Sequence, residues 1–306
     1  MNREKLLMRD AATLYYEKHL TQQEIAKVLG CSRQTVSKLL NDAVEERVVE
    51  IIIHDPQVDC RELEEQICNV FGIRSCVVCG VSGKDAALQR LMTVKKAAEY
   101  LLPILQKGGQ NVAISWGRTV QEFIHTLPET PTKGNVVFPL FGATDHERAY
   151  FSSNELARSL ADKLDATVKC AWFPYLPDGE TDCDLLRQLS YYKSMQERWN
   201  TADLAIVGIG NTEILEIFGK TFGYSDIHDR AIGDVATHFF DAAGELVNLY
   251  ENTLCASVDN LKHAKETVAI ACGKEKAQAI AAALRTGVID TLITDEQTAR
   301  YILENK

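Results

Sequence analysis

The sequence predicts an α/β protein in two parts: a helix-turn-helix, winged-helix-like head over residues 1–55 and a mainly parallel α/β domain over 56–306. Three observations carry this. Residues 21–40, TQQEIAKVLGCSRQTVSKLL, read as two short helices around a tight turn. From residue 60 onward, short apolar runs alternate with helical segments, the pattern of a parallel sheet with helices on both faces. Between the two lies His54-Asp55-Pro56, where proline disfavours helix before it and ends a strand ladder, so the boundary falls there.

Residues 3–16 form the first helix, with Leu6, Leu7, Ala11, Leu14 and Tyr15 apolar. In the next, Thr21 and Glu24 have capping-box spacing: the hydroxyl accepts from a first-turn N–H and the carboxylate reaches back to the Thr21 N–H. Ile25, Val28 and Leu29 make an apolar stripe, small Ala26 admits a close neighbour, and Gly30 tolerates the positive φ that stops the helix. Ser32 caps the second helix of the pair. There Val36, Leu39, Leu40 and Ala43 face inward, leaving Arg33, Gln34, Ser37, Lys38 and Asn41 outside. Residues 48–53, VVEIII, suit a wing-like strand. In the second domain helices are expected over 61–71, 84–106, 155–164, 274–284 and 296–303. Strands are expected at 76–81, 112–115, 136–140, 168–173, 204–208, 268–271 and 291–294. Residues 239–247, FFDAAGELV, read instead as an inserted hairpin.

A helix lying in the major groove of DNA needs short polar and basic side chains near its N-terminus. Gln22, Arg33, Gln34, Thr35, Ser37 and Lys38 are the candidate DNA contacts, Lys38 as a phosphate contact. An ordinary helical hairpin with a solvated face is the alternative. Residues 1–55 hold eight Lys or Arg against nine Asp or Glu. The positive charge is therefore local, around Lys27, Arg33 and Lys38, and a homodimer or homotetramer would multiply a weak footprint.

The net charge of −10 argues against a chain that coats nucleic acid or anionic membrane. No apolar run has the length of a membrane span and MNREKLLMRD is no signal peptide, so a cytoplasmic protein is expected. Nine cysteines without paired spacing suit a reduced compartment. Cys76 and Cys79 would point to opposite faces of a strand, and no second pair follows at zinc spacing, so no metal site is expected.

Residues 111–119, NVAISWGRT, run strand, tight turn, helix start. Ligands of open α/β sheets sit beyond the carboxyl ends of strands. A glycine turn that opens a helix aims N–H groups and the helix dipole at one spot, which favours an anion such as phosphate. Ser115 and Thr119 add hydroxyls and Arg118 adds charge; a plain turn with Thr119 as N-cap is the alternative. Trp116 reads as core or pocket wall. Gly208-Ile209-Gly210 lacks the third glycine of a dinucleotide fingerprint and reads as close backbone approach at a pocket edge. Asp234 would bond sugar hydroxyls or make a turn, and Lys276 would reach an anion at a helix start or be solvated.

The segments LTQQEIAKVLGCSRQTVSKLL, ISWGRT, LAIVGIG, AIGDVATHFFDAAGELV and ACGKEKAQAIAAALRTGVIDTLITDEQTA span the chain. Together they resemble the SorC/DeoR-type bacterial transcription regulators that sense phosphorylated sugars, in particular the deoxyribonucleoside-regulator branch. The resemblance implies double-stranded operator DNA as partner and a Rossmann-like effector domain similar to sugar-phosphate isomerases. Its SWGxT-type turn implies an effector-phosphate cradle on Ser115, Gly117, Arg118 and Thr119, completed by Asn154, Asp234 and Lys276. No cofactor is implied. Two departures matter. Ala271-Cys272-Gly273 stands where the family often has Ala-Gly-Gly. Phe138, Leu140 and Phe141 stand where some members carry a Schiff-base lysine, so noncovalent binding is expected. The rival class is a sugar-phosphate isomerase or deaminase with a DNA-binding head, using Asp234 with His228 or His238; an oligomerisation module with a vestigial pocket is the third.

Overall fold

The computed structural model describes residues 3–51, 59–81, 83, 85–144, 152–211, 230–247 and 252–304. The chain divides into two compact units, Met1–Gln57 and Val58–Lys306.

The first unit holds α1 (Arg3–Ala12), a π-turn (Thr13–Glu17), α2 (Gln22–Leu29) and α3 (Arg33–Glu45). Its core is Met8, Ala11, Ile25, Val36, Leu40 and Ala43. The capping box forms as expected: Thr21 N–H donates to Glu24 Oε2 at 2.8 Å, and Glu24 N–H to Thr21 Oγ1 at 3.4 Å. Gly30 closes α2 at φ 64°, and Ser32 Oγ accepts from Thr35 N–H at 3.0 Å to open α3. Three expectations shift. Val28 is 62% exposed, because the short α2 turns Ile25, Ala26 and Leu29 inward and leaves Val28 on its flank. Met8 and Ala12, rather than Leu7 and Tyr15, fill the buried positions of the first helix; the π-turn changes the register beyond Ala12 and turns Tyr15 out. Residues 48–51 form no strand, since the N–H groups of Val48 and Val49 both fold back onto the Ala43 carbonyl, at 2.8 and 2.9 Å. The rest of the expected wing lies outside the described residues.

The second unit is built on a seven-stranded parallel sheet in the order β1-β11-β10-β5-β2-β3-β4. The strands are β1 (Ser75–Cys79), β2 (Asn111–Ile114), β3 (Val136–Pro139), β4 (Thr167–Val168), β5 (Leu204–Val207), β10 (Glu266–Ile270) and β11 (Thr291–Asp295). Every residue of β5 and β11 is buried, so the central strands are covered on both faces. The helices are α4 (Arg61–Phe71), α5 (Ala86–Leu105), α6 (Arg118–Thr126), α7 (Ser153–Leu164), α8 (Glu180–Gln188), α9 (Ser190–Asn200), α10 (Val258–His263), α11 (Ala277–Arg285) and α12 (Glu296–Glu304). No described helix is long and apolar enough to cross a membrane.

A second, antiparallel sheet runs β6 (Ile209–Asn211), β7 (Gly233–Val235), β8 (His238–Phe240), β9 (Leu246–Val247). The expected hairpin is β8–β9, with Phe239 opposite Val247 and its turn tied by Asp241 Oδ1 to the N–H groups of Ala243 and Glu245. That it continues through β7 to β6 was not legible from the apolar pattern. At Gly233 any Cβ would sit 2.6 Å from the Gly210 carbonyl oxygen, so the two inner strands need glycine to approach. The edge strand expected at 168–173 stops at Val168: the Asn154 side chain takes the backbone of Ala171, accepting from its N–H at 2.8 Å and donating to its carbonyl at 2.9 Å.

Candidate functional site

The chain leaves β2 for β3 on one side, and later leaves β5 for β10 on the other. The carboxyl ends of β2 and β5 therefore flank the point where the sheet reverses direction, where open α/β sheets bind ligands. Ser115 follows β2; its N–H donates to Ile206 O at 2.9 Å, its side chain is fully buried, and its Oγ has no partner. Gly117 holds the N-cap position of α6 at φ 121°, ψ 154°, a region open to glycine and costly for other residues. A Cβ there would meet nothing within 4 Å, so the demand is conformational and not steric. Gly117, not Thr119, is the N-cap, and no side chain caps α6. A helix start without a side-chain cap is the arrangement that suits an anion. Thr119 is buried in that turn and Arg118 is exposed.

Asp234 lies on β7 opposite Gly210, with only 2% of its surface exposed. Its Oδ2 accepts from Thr237 N–H at 3.1 Å; its Oδ1 has no partner. Burial pushes the carboxyl up to about 6, opposed by the Thr237 N–H, the Lys276 charge and the Trp116 indole. Lys276 closes the short 3₁₀ turn after β10 and donates to Ile209 O at 3.0 Å. Burial pulls its ammonium down; Cys272 and Asp234 oppose that, and Arg118 adds to it. Lys276, Asp234 and Arg118 thus share one electrostatic neighbourhood. Asn154 spends one donor and one acceptor of its amide on the backbone of Ala171, which leaves it a second N–H and a second lone pair.

Two residues were missed. Trp116 reaches Asp234 as well as packing edge to face on Phe141, with centroids 5.1 Å apart. Thr237 follows Ala236 in a two-residue turn with φ of 47° and 72°, both left-handed without glycine. The spacing Asp234-x-x-Thr237, an acid answering an N–H three residues on, was the available signal. His228 lies outside the described residues.

On the head, Arg33, Gln34, Thr35 and Lys38 are exposed on α3 and Ser37 is half-buried. The Thr35 and Ser32 hydroxyls are 2.8 Å apart, so Thr35 belongs to the cap as much as to the outer face. Gln22 is half-buried at the first position of α2.

A capped helix pair in one unit and an open α/β sheet with a glycine-capped helix at its switch point in the other are the parts of a ligand-binding transcription regulator, and comparison with known proteins agrees. Residues 55–304 match the family described as "Putative sugar-binding domain", and residues 8–46 match "Sigma-70, region 4". The sorbitol operon regulator of Klebsiella pneumoniae is 30% identical, over 96% of each chain. The deoxyribonucleoside regulator of Bacillus subtilis (strain 168) is 27% identical over the whole of both. The crystal structure of full-length SorC from K. pneumoniae superposes with a TM-score of 0.73, at 29% identity and complete coverage of both chains. The chain belongs to the SorC/DeoR-type family of sugar-binding transcription regulators: it is a DNA-binding regulator with a sugar-binding domain.

Proposed function

We propose that the effector is a phosphorylated sugar, held without a covalent bond at the carboxyl ends of β2, β5 and β10. The observation that carries this is Gly117: a glycine N-cap leaves the start of α6 without a side-chain cap, where Arg118 and Lys276 share one electrostatic neighbourhood. The phosphate sits on that turn. Asp234, with Oδ1 free, and the Ser115 hydroxyl take the sugar hydroxyls. Phe141, fully buried against Trp116, offers no amine for a Schiff base. Effector binding shifts the population of oligomer arrangements and so changes operator affinity. The enzyme reading is weaker, because His238 Nε2 lies 2.8 Å from the Ala256 carbonyl and burial lowers its pKa, leaving Asp234 without a histidine partner among the described residues.

Titration calorimetry with pentose and hexitol phosphates and their unphosphorylated forms tests this. Thr119→Ala or Lys276→Ala should cost roughly 1.5–3 kcal/mol, about ten- to a hundredfold in affinity, with operator binding intact. Equal affinity for a sugar and its phosphate would reduce residues 115–119 to a plain turn.

The protein acts as a homodimer or homotetramer, since one head carries too little local positive charge to hold a site and two-fold proteins meet paired half-sites. Sedimentation at micromolar concentration should give a dimer or larger; a monomer with and without DNA rules this out.

A further inference from the structure

Beside the recognition helix the head carries side chains that base reading does not use. Consecutive residues on an α-helix point about 100° apart. The π-turn at Thr13–Glu17 relaxes that: Tyr15 and Tyr16 line one groove of about 840 Å³ and meet edge to face, their centroids 5.0 Å apart. Both rings are more than a third exposed, at 37% and 39%. The other walls are His19, Leu20 and Thr21 of the loop before α2, Gln22 and Gln23 in its first turn, and Arg33 at the start of α3. His19 is left-handed at φ 54°, and the next N–H, of Leu20, returns to Leu14 O at 3.0 Å, so the loop is pinned.

Charge narrows what the groove can hold. Acids slightly outnumber bases over residues 1–55, yet no acid lines this groove among the described residues. Two acids border it in sequence: Glu17, next to Tyr16, lines a separate groove with Arg9 and Val48, and Glu24, next to Gln23, has its carboxylate folded onto the Thr21 N–H and hydroxyl at 2.8 and 2.7 Å. Phenols, amides, an imidazole and a guanidinium are donors that suit a phosphodiester. Arg33 lines the groove and also opens the base-reading face, which makes the two surfaces continuous.

We propose that this groove takes one phosphodiester of the operator backbone, with the Tyr15 and Tyr16 hydroxyls as donors, so that each head grips DNA through the π-turn as well as through α3. The inference rests on the assignment of DNA recognition to α3. A backbone contact strengthens binding to every sequence and does not choose between them.

The test uses full-length protein, a duplex carrying the footprinted site and a scrambled duplex of equal length. Tyr15→Phe with Tyr16→Phe keeps both rings and removes both hydroxyls. It should weaken both duplexes by about three- to tenfold per head, leaving their ratio and the thermal midpoint unchanged. Tyr16→Phe alone, expected to give part of that loss, serves if the pair unfolds the head. Arg33→Ala, measured alongside, should lower the ratio. Wild-type affinity in the tyrosine variants while Arg33→Ala loses the ratio overturns the clamp and spares the α3 assignment. A loss confined to the footprinted site overturns the phosphate assignment, because the tyrosines would then be reading bases. Wild-type behaviour in all variants overturns both.

Discussion

An Arg33→Ala, Gln34→Ala double variant is expected to lose protection of its operator while staying folded. Both side chains are exposed in the first turn of α3, next to the Ser32 cap. That turn is the part of a recognition helix that reaches base edges. Arginine paired to guanine, or glutamine to adenine, contributes about 1–3 kcal/mol of discrimination each, so the pair removes roughly 2–6 kcal/mol per head. Neither side chain belongs to the core, which rests on Val36, Leu40 and Ala43, so the melting transition should hardly move. Lys38→Ala, one turn on, should weaken all sequences alike and flatten the salt dependence by about one unit. Footprinting across a salt series separates the two. Undiminished protection by the double variant would remove α3 as the reading element.

How much of this was legible in the sequence depends on how local the physics is. The Thr21–Glu24 box, the Gly30 stop and the Ser32 cap are settled within four residues, and all three stand as expected. Buried parallel strands announce themselves as apolar runs, so β2, β3, β5, β10 and β11 were placed within a residue or two at most ends. Long-range partners were illegible. The edge strand near 168 is cut short by an amide arriving from α7, and Val28 is exposed because tertiary packing chose Ala26 instead. At the carboxyl edge, the turn at Gly117 was read for the N–H groups it aims at one spot, whereas the backbone angles that require glycine there show only in the fold. Trp116 was read as core or pocket wall; its indole beside Asp234 follows from β7 pairing with β6, the strand that comes directly after β5, which no spacing in the chain encodes.

Asp234→Asn is expected to stabilise the ligand-free protein at neutral pH and to lose that advantage in acid. Burial pushes the carboxyl up to about 6 in the fold, against an ordinary value of 3.8. A raised carboxyl pKa means the folded state binds the proton more tightly than the unfolded one. Its stabilising effect is complete below about 4 and is lost as pH rises through about 6. Two pH units correspond to roughly 3 kcal/mol of stability missing at pH 7.5. Asparagine mimics the protonated acid in shape and keeps an acceptor for the Thr237 N–H. Its melting temperature should therefore exceed the wild type by several degrees at pH 7.5 and match it near pH 4. The Lys276 charge is already included, since it opposes the rise and burial still prevails. A difference that stays constant between pH 4 and 8 would mean the site does not titrate in this window. Under the proposed sugar-phosphate assignment the order should reverse with saturating ligand, because its hydroxyl donors would complete the unpartnered Oδ1 of the carboxylate, which asparagine replaces with a donor. That reversal would tie stability to occupancy, the differential interaction an effector-driven population shift needs.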